Sequence, residues 1–389
     1  MIGEVRIENY KSIQKLKLEL GRVTVLIGEN GCGKSNILEA IALASAAADD
    51  KLDNEFLASR GIRVTEPQLM RSAFEIDNLI KDIKIELRGN EGQPFSCILE
   101  NDNSPYSQWL SKTFLGNTET SLKNAVNQVV QKYGGRNKLI SILEEKTELS
   151  EDFFLSLKKD AKSFIEILFL NQFVIYSPEN PALRTFEKEG QIQPLGINGE
   201  GLFKLINVLS ADKNPDKLNQ IKENLRLIDW FKDFEVSQNL AAMQTSIQIQ
   251  DRYLDTDLSY FDQRSSNEGF LFLLFYFTLF VSELTPKFFA IDNIDASLNP
   301  RLCRRLMQEL VELAKKHDKQ VIFTTHNPAV LDGLDLDDDE QRLFVISRNQ
   351  LGYTKARRIL KPKPLEGQEP VKLSEAFLRG YIGGLPKNF

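Results

Sequence analysis

Residues 28–35 read GENGCGKS, which matches the pattern G-x-x-x-x-G-K-S. The β-branched apolar run Arg22–Ile27 before it predicts a buried strand, and the helical spacing of residues 36–41 after it predicts a helix. A strand, this loop and a helix in succession form the context that a phosphate-binding loop requires. The feature therefore restricts the chain to an α/β fold with a site for a phosphorylated ligand.

The residue types of this loop predict how it binds phosphate. Its glycines let backbone N–H groups converge on the phosphates, and the helix N-terminus adds its positive end. Lys34 would reach the β and γ phosphates, and the hydroxyl of Ser35 would bind Mg²⁺. ATP and Mg²⁺ are therefore the expected cofactors. The residues expected to contact the nucleotide here are Asn30, Gly31, Cys32, Gly33, Lys34, Ser35 and Asn36.

Composition excludes several other classes of protein. The chain has 389 residues, 42% of them hydrophobic, which is enough for a sizeable core. Its net charge of −6 gives no general attraction to nucleic acid, so any DNA binding requires a local basic patch. Three cysteines and two histidines are too few and too scattered for a disulfide framework or a His-based zinc site.

Two further segments bear on location. The N-terminal sequence MIGEVRIENY reads as a mixed polar strand and not as a signal peptide. The longest apolar stretch, Phe270–Val281, is too short to span a bilayer. We therefore expect a cytoplasmic protein without a membrane partner.

The start of the chain resembles a known group of ATPases. Residues 7–13, IENYKSI, belong to two predicted strands that lead into VTVLIGENGCGKSN, and this arrangement resembles the heads of the SMC, RecF and OLD group of ABC-type ATPases. The resemblance implies that the first strands cover the nucleotide base, with Lys11 or Ser12 near it. It also implies a homodimer or larger even oligomer, in which two ATP molecules are sandwiched head to tail.

Residues 263–269, QRSSNEG, resemble a degenerate form of the signature motif of this group. In the group, this Ser/Gly turn at a helix N-terminus contacts the γ-phosphate bound by the opposite subunit. The segment departs from L-S-G-G-Q, so either Ser265 or Ser266 could take the role of the signature serine, with Gly269 beside them. The alternative is an ordinary helix cap.

The apolar run before Asp292 predicts a buried strand that ends in an acid, the expected partner of Ser35 in holding Mg²⁺. The following residues resemble the D-E-P-E-x-x-L-H-P segment of the group, but Asn293 stands where the group has the glutamate that polarises the attacking water. Asn293 cannot take a proton at neutral pH, so we expect slow hydrolysis. Asp295 is a possible substitute if the loop turns it inward.

A later strand, predicted over residues 320–325, ends in the sequence TTHNP. In the resembled group a histidine at this strand end senses the γ-phosphate and helps to position the attacking water. His326 therefore joins Asn293 and Asp295 as a candidate catalytic residue, whereas His317 is expected to be a bystander.

These motifs predict an α/β fold of the P-loop NTPase class. It would consist of an ABC-type ATPase head split between residues 1–50 and 165–350, with a β-lobe or linker at 51–104 and a mainly helical insertion at 105–164. The insertion lacks sustained heptads, so no long coiled coil is expected. Residues 351–389 would form a closing hairpin and tail, and residues 215–234 are predicted to form one helix.

Three hypotheses about function compete at this point. The first is a sensor or scaffold ATPase of an anti-phage defence complex, similar to the stand-alone ATPases of Septu systems, which controls a separate effector nuclease such as an HNH protein. The second is a RecF-like ATPase that binds DNA in repair, and the third is a structural module that holds ATP without cycling.

Overall fold

The computed structural model describes residues 1–90, 94–119, 169–184, 194–211, 215–239, 244–255, 260–361 and 371–385. Chain contacts divide the protein into two compact units. The first comprises residues 1–21, 29–173 and 344–358, and the second comprises residues 22–28, 174–343 and 359–389.

The strands are β1 (Ile2–Tyr10), β2 (Ile13–Glu19), β3 (Val23–Ile27), β4 (Ile83–Gly89), β5 (Phe95–Glu100), β6 (Leu110–Leu115), β7 (Thr118–Glu119), β8 (Ile175–Tyr176), β9 (Phe231–Asn239), β10 (Gln244–Asp251), β11 (Tyr260–Asp262), β12 (Phe288–Ile291), β13 (Gln320–Thr325), β14 (Gln341–Arg348) and β15 (Thr354–Ile359). The α-helices are α1 (Lys34–Ala48), α2 (Asn54–Ser59), α3 (Pro67–Met70), α4 (Asn180–Leu183), α5 (Leu202–Ser210), α6 (Asp216–Leu225), α7 (Glu268–Val281), α8 (Pro300–Lys316) and α9 (Leu373–Leu378). Within the described ranges, 3₁₀ helices cover Ile76–Ile80 and Pro328–Gly333.

An antiparallel sheet of order β2-β1-β4-β5-β6-β7 organises the first unit. Its central strands alternate buried apolar with exposed polar residues, as a sheet with one covered face requires. Val5 of β1, for example, lies opposite Leu18 of β2 and Leu87 of β4. Helix α1 is buried along almost its whole length, because its residues after Asn36 are nearly all apolar or small.

The second unit contains four parallel strands in the order β3-β13-β12-β8. Each of these strands is buried throughout, as is typical of parallel sheets covered on both faces. The register pairs Ile27 of β3 with Thr325 of β13, and Phe323 of β13 with Ile291 of β12. The carboxyl ends of β3, β13 and β12 therefore lie at one edge of this sheet, where ligands of open α/β sheets bind.

A second sheet of this unit, of order β11-β10-β9, is antiparallel and precedes α7. Helix α7 is apolar on all sides, and every residue from Phe270 to Val281 is buried. A helix without a polar face belongs in the interior of a domain. Its N-terminus at Asn267 follows directly from the turn that leaves β11.

Two predictions of secondary structure were wrong in part. The helical insertion was expected from residue 105, but residues 110–115 and 118–119 form β6 and β7, and residues 120–168 lie outside the described residues. The helix expected to run to residue 234 ends at Leu225 as α6, and β9 begins at Phe231. Phe231 and Phe234 have helical spacing, but pairing with β10 buries both of them in the strand.

No helix in the described part of the chain is long and apolar enough to cross a membrane. The longest helix there is α8, with 17 residues, and it is strongly amphipathic. No long coiled coil occurs in the described ranges, and most of the insertion for which its absence was predicted lies outside them.

Candidate nucleotide-binding site

The phosphate loop depends on glycines with left-handed backbone angles. Gly31 has φ +74° and Gly33 has φ +108°, a region that favours glycine. At Gly33 a Cβ atom would lie 2.1 Å from Thr354 Oγ1 and 2.8 Å from Ser12 Oγ, whereas nothing lies within 4 Å of a Cβ at Gly31. Gly33 is therefore required both by conformation and by close packing, and Gly31 by conformation alone.

Lys34 begins α1 directly after Gly33 and is buried despite its charge. Its Nζ donates a hydrogen bond to the carbonyl oxygen of Glu29 at 3.1 Å and lies 3.9 Å from the Sγ atom of Cys32. Burial raises the pKa of the Cys32 thiol, so this side chain packs in the loop as a small neutral group. The lysine is thus held inside the curve of the loop, where a phosphate would approach it.

The loop is supported by the hydroxyl groups of Thr354 and Ser12. Thr354 Oγ1 donates to the carbonyl oxygen of Cys32 at 2.9 Å and lies 2.7 Å from Ser12 Oγ. The amide of Asn36 donates to the same Ser12 hydroxyl at 2.7 Å. Thr354 follows an ordinary Gly-Tyr turn and carries no motif, so sequence alone gave no signal for this contact.

A buried carboxylate, Glu39, organises the polar residues around the start of α1. It accepts hydrogen bonds from Lys11 Nζ, from Tyr10 Oη at 3.2 Å and from Arg63 Nε at 2.5 Å. Burial lowers the pKa of Lys11, and the carboxylate of Glu39 opposes part of that effect. A glutamate inside the apolar segment NILEAI was the available sequence signal for a buried ion pair.

Lys11, predicted to lie near the nucleotide base, also donates to the carbonyl oxygen of Arg63 at 2.9 Å. It lines a cavity of about 380 Å³ together with Ser12, Asn36, Arg63 and other residues of the first unit. Phe74 contributes an apolar wall, and the guanidinium of Arg348 lies 5.7 Å from its ring centroid. Cationic and apolar walls together suit an anionic ligand with a flat apolar part.

The second unit holds the acidic strand end. Asp292 follows β12 and accepts a hydrogen bond from the hydroxyl of Thr324, which in turn accepts one from the backbone N–H of Asn293 at 2.9 Å. Asn293 is exposed and has a left-handed φ of +57°, which asparagine tolerates better than most residues. One threonine hydroxyl of β13 thus fixes both residues at this edge of the sheet.

Asp295 is turned toward β13. Its Oδ1 accepts a hydrogen bond from the hydroxyl of Thr325 at 2.5 Å. Burial raises the pKa of two neighbouring groups, the Tyr276 hydroxyl and the Cys303 thiol, and the negative charge of Asp295 adds to both shifts. The pKa of Cys303 rises to about 11. The hydroxyl of Tyr276 is buried without a hydrogen-bond partner among the described residues. One oxygen of Asp295 is therefore engaged in a structural contact.

His326 follows β13 and is exposed at the same sheet edge. The next residue fixes the course of the chain there. The backbone N–H of Asn327 donates to Thr325 Oγ1 at 3.0 Å, and its side chain accepts from the N–H of Ala329 at 3.0 Å. His317, by contrast, ends α8 and contacts Gln220 at 3.1 Å.

The candidate signature turn, residues 263–269, separates its two serines. Ser265 is exposed, and its hydroxyl donates to Asp262 Oδ1 at 3.2 Å, whereas Ser266 is buried. A Cβ at Gly269 would lie 3.5 Å from the carbonyl oxygen of Ser297, an ordinary contact, so packing does not require glycine there. Ser265 is thus the serine that a partner molecule could reach.

The chemistry of these groups fits a magnesium nucleotide. The start of α1 presents backbone amides and a buried lysine, which suit phosphate oxygens. The hydroxyl of Ser35 and the carboxylate of Asp292 are oxygen ligands of the kind Mg²⁺ prefers. Strand β3, which leads into the loop, and strand β12, which ends just before Asp292, belong to the same parallel sheet, with β13 between them.

Comparison with known proteins agrees with this chemistry. A family model described as an AAA ATPase domain matches residues 1–253. An uncharacterised protein of Methanocaldococcus jannaschii is 40% identical over 67 residues, which are 16% of this chain and 31% of that protein. The DNA replication and repair protein RecF of Bacillus thuringiensis is 38% identical over 55 residues, 14% of this chain and 15% of RecF. The chain thus matches less than a third of the length of these relatives.

Two solved structures share the fold at low sequence identity. An SMC head bound to the C-winged helix domain of ScpA is 15% identical with a TM-score of 0.57, and the match covers 92% of this chain and 98% of that chain. An Smc head domain with a coiled coil and joint from Pyrococcus yayanosii is 13% identical with a TM-score of 0.52, covering 97% and 98%. These matches confirm the predicted α/β fold, that of an SMC-type head. Since the family model covers residues 1–253 of 389, the chain belongs to the AAA ATPase domain family.

Proposed function

We propose that this protein binds ATP and Mg²⁺, that two copies assemble around the nucleotide, and that hydrolysis is slow. Membership of the ATPase family and the SMC-head fold support nucleotide binding. The amides of residues 30–36 and Lys34 would hold the phosphates, while Ser35 and Asp292 would hold the metal ion. When bound, the ion would neutralise charge on the phosphates.

Asn293 is the observation that carries the proposal of slow turnover. Its carbonyl oxygen can orient a water molecule but cannot accept a proton at neutral pH. General-base assistance is commonly worth about 10²–10⁴-fold in rate, so its loss would leave ATP bound for long periods. Asp295 already accepts the hydroxyl of Thr325, and His326 would position the water and the γ-phosphate.

A long-lived ATP state suits a protein that holds an assembly together. We therefore place this chain as the sensor or scaffold subunit of an anti-phage defence complex that controls a separate effector nuclease, such as an HNH protein. The homodimer would be the ATP-bound unit, and nucleotide release would change how the effector is held. This role predicts that the nuclease and this chain co-purify when the neighbouring genes are expressed together.

Nucleotide affinity and turnover of the purified chain test the proposal. ATP should bind in the presence of Mg²⁺, Lys34→Ala should abolish binding, and ATP should promote dimers. A turnover number of several per second, in the range of ordinary enzymes, would contradict slow hydrolysis. Failure of wild-type protein to dimerise with ATP would contradict the assembly around nucleotide.

The RecF-like alternative has separate support. Part of the chain is similar to RecF, a DNA replication and repair protein. Arg301, Arg304 and Arg305 are exposed on α8 and could face a phosphate backbone. This function predicts ATP-dependent DNA binding by the chain alone, with affinity that falls steeply as salt rises. Salt-insensitive or absent DNA binding, together with nuclease co-purification, would exclude it.

A further inference from the structure

A side chain distant in sequence binds the candidate signature turn. Arg184, which follows α4, donates from Nη1 to the carbonyl oxygens of Gln263 at 3.2 Å and Arg264 at 2.5 Å. Its Nη2 donates to the carbonyl oxygen of Ser266 at 2.9 Å. Its Nε donates to Asn180 Oδ1 at 2.7 Å, which orients the guanidinium group. One residue therefore fixes three of the carbonyl groups of this turn.

These contacts decide which polar groups the turn presents outward. In a planar trans peptide the C=O and N–H bonds point in opposite directions. Because Arg184 binds the carbonyl of Ser266, the N–H of Asn267 is directed away from Arg184. At the start of α7 the N–H of Phe270 donates to Asn267 Oδ1 at 2.8 Å, which leaves the N–H groups of Glu268 and Gly269 for an acceptor outside the helix. Exposed Ser265 lies in the same turn.

The charge of Arg184 argues against a simple capping role. A cation beside a helix N-terminus opposes the helix dipole, so this position does not favour an arginine for helix stability alone. A guanidinium group carries five donors in a rigid fork, which suits several carbonyl groups at once, and lysine cannot reproduce this. The same positive charge would favour an anion at the outer side of the turn.

We propose that Arg184 is the positioning residue of the signature turn. It holds three carbonyl groups inward, so that exposed Ser265 and the amides of Glu268 and Gly269 at the start of α7 face the γ-phosphate of ATP bound by a second copy. This inference rests on the proposed function, because it requires two copies that share nucleotide. It assigns Arg184 to the assembly step and not to binding of ATP by a single copy.

The variant Arg184→Met tests this separation. Affinity of the isolated chain for ATP, measured by calorimetry, should stay within about twofold, while the ATP-dependent dimer should weaken by about 10–100-fold, as loss of a charged hydrogen-bonding group predicts. Arg226→Met is the matched control, because Arg226 is exposed in the same unit, and its dimer should equal the wild type. Arg184→Lys should restore only part of the dimer affinity.

Mixing variants separates a specific defect from general damage. In a head-to-tail dimer, Arg184→Met mixed with Lys34→Ala places both defects in one site and leaves the other site intact. Energy transfer between labelled chains should therefore report tighter ATP-dependent dimers in the mixture than with either variant alone. A mixture without such dimers would overturn the positioning role, since general misfolding of one copy is not relieved by the other.

Dimer measurements distinguish a failure of the proposed function from a failure of the role of Arg184. If wild-type protein does not dimerise with ATP, the proposed function is wrong. If wild-type protein dimerises and Arg184→Met dimerises equally well, only the role of Arg184 is wrong. If Arg184→Met does not fold, Asn180→Ala replaces it, because this variant removes only the hydrogen bond to Nε of Arg184. Asn180→Ala should weaken the ATP-dependent dimer by about threefold. An unchanged dimer affinity would overturn the inference.

Discussion

The phosphate loop and the signature turn both end at a helix N-terminus, yet they are held in different ways. The phosphate loop is fixed by shape: Gly33 has a left-handed conformation and no room for a Cβ atom. The signature turn is fixed by hydrogen bonds that Arg184 donates and Asp262 accepts, and its Gly269 has ordinary space around it. A loop that is fixed by close packing tolerates almost no substitution of its glycines. The residues of a hydrogen-bonded turn can change as long as the side chains that bind its backbone remain.

This difference accounts for the two sequence patterns. The phosphate loop keeps the full G-x-x-x-x-G-K-S motif, and the signature segment QRSSNEG departs from L-S-G-G-Q. When side chains outside a turn fix its carbonyl groups, the residues inside it are less constrained. Substitutions in each turn test this comparison.

The largest effect is expected at the phosphate loop. Gly33→Ala adds a Cβ 2.1 Å from Thr354 Oγ1 at φ +108°, so backbone strain and overpacking should together lower ATP affinity by about 100-fold or more. Gly31→Ala carries strain alone and should lose about tenfold at most. Calorimetry with ATP and Mg²⁺ measures both. Equal losses would show that packing against Thr354 does not shape the loop.

A second prediction concerns the turn after β12. Asn293→Glu restores a carboxylate, and general-base help should raise ATP turnover by about 10–100-fold, less than its full value because glutamate tolerates φ +57° poorly. Asn293→Gln matches the length without the carboxylate and should give no gain. Steady-state phosphate release measures the rates, and an increase with Gln would indicate a conformational cause.

A smaller effect is expected at the signature turn. Asp262 Oδ1 accepts hydrogen bonds from the N–H groups of Arg264 and Ser265, both at 3.0 Å, and from the Ser265 hydroxyl. Asp262→Ala removes all three and should weaken the ATP-dependent dimer by about tenfold. Asp262→Asn keeps an acceptor oxygen and should lose less. Sedimentation with and without ATP measures the dimer; equal losses would point to the charge instead of the contacts.

The smallest effect concerns stability behind these turns. Tyr276 lies in α7 with a buried hydroxyl that has no partner among the described residues, so Tyr276→Phe should raise the free energy of unfolding by about 1 kcal/mol. Tyr253, whose exposed hydroxyl donates to Asp229 at 2.6 Å, provides the control. Tyr253→Phe should change the free energy of unfolding by less than about 0.5 kcal/mol. A loss of stability in Tyr276→Phe, measured by urea unfolding, would reveal a hidden hydrogen bond of this hydroxyl.

Local signals explain which parts of the fold could be predicted from sequence. Strand β3, the loop and α1 follow from a buried run, glycine spacing and helical periodicity in one continuous segment. Proline at the start of α8, with a clear apolar stripe behind it, predicts that helix in the same way. The start of β9 could not be predicted, because Phe231 and Phe234 fit a helix until pairing with β10 decides between the two states.

The supporting residues of the candidate site follow a different rule. Motifs named Lys34, Asp292 and His326 as candidates, but the partners that hold the turns, such as Arg184 and Thr354, are ordinary residues in ordinary contexts. Their contacts are to backbone carbonyl groups, which every residue has, so no sequence pattern marks them. Only the folded chain brings these donors to those carbonyl groups.

The contact between Thr354 and the phosphate loop also has a consequence for biosynthesis. Residues 28–35 leave the ribosome early, but the hydroxyl that packs against Gly33 and binds Cys32 arrives more than 300 residues later. At about 5–20 residues per second, the nascent chain waits on the order of tens of seconds before its loop can be completed. Nucleotide can therefore engage this loop in its final form only after residue 354 has been synthesised, so a truncated product lacking Thr354 should bind ATP more weakly than the finished protein.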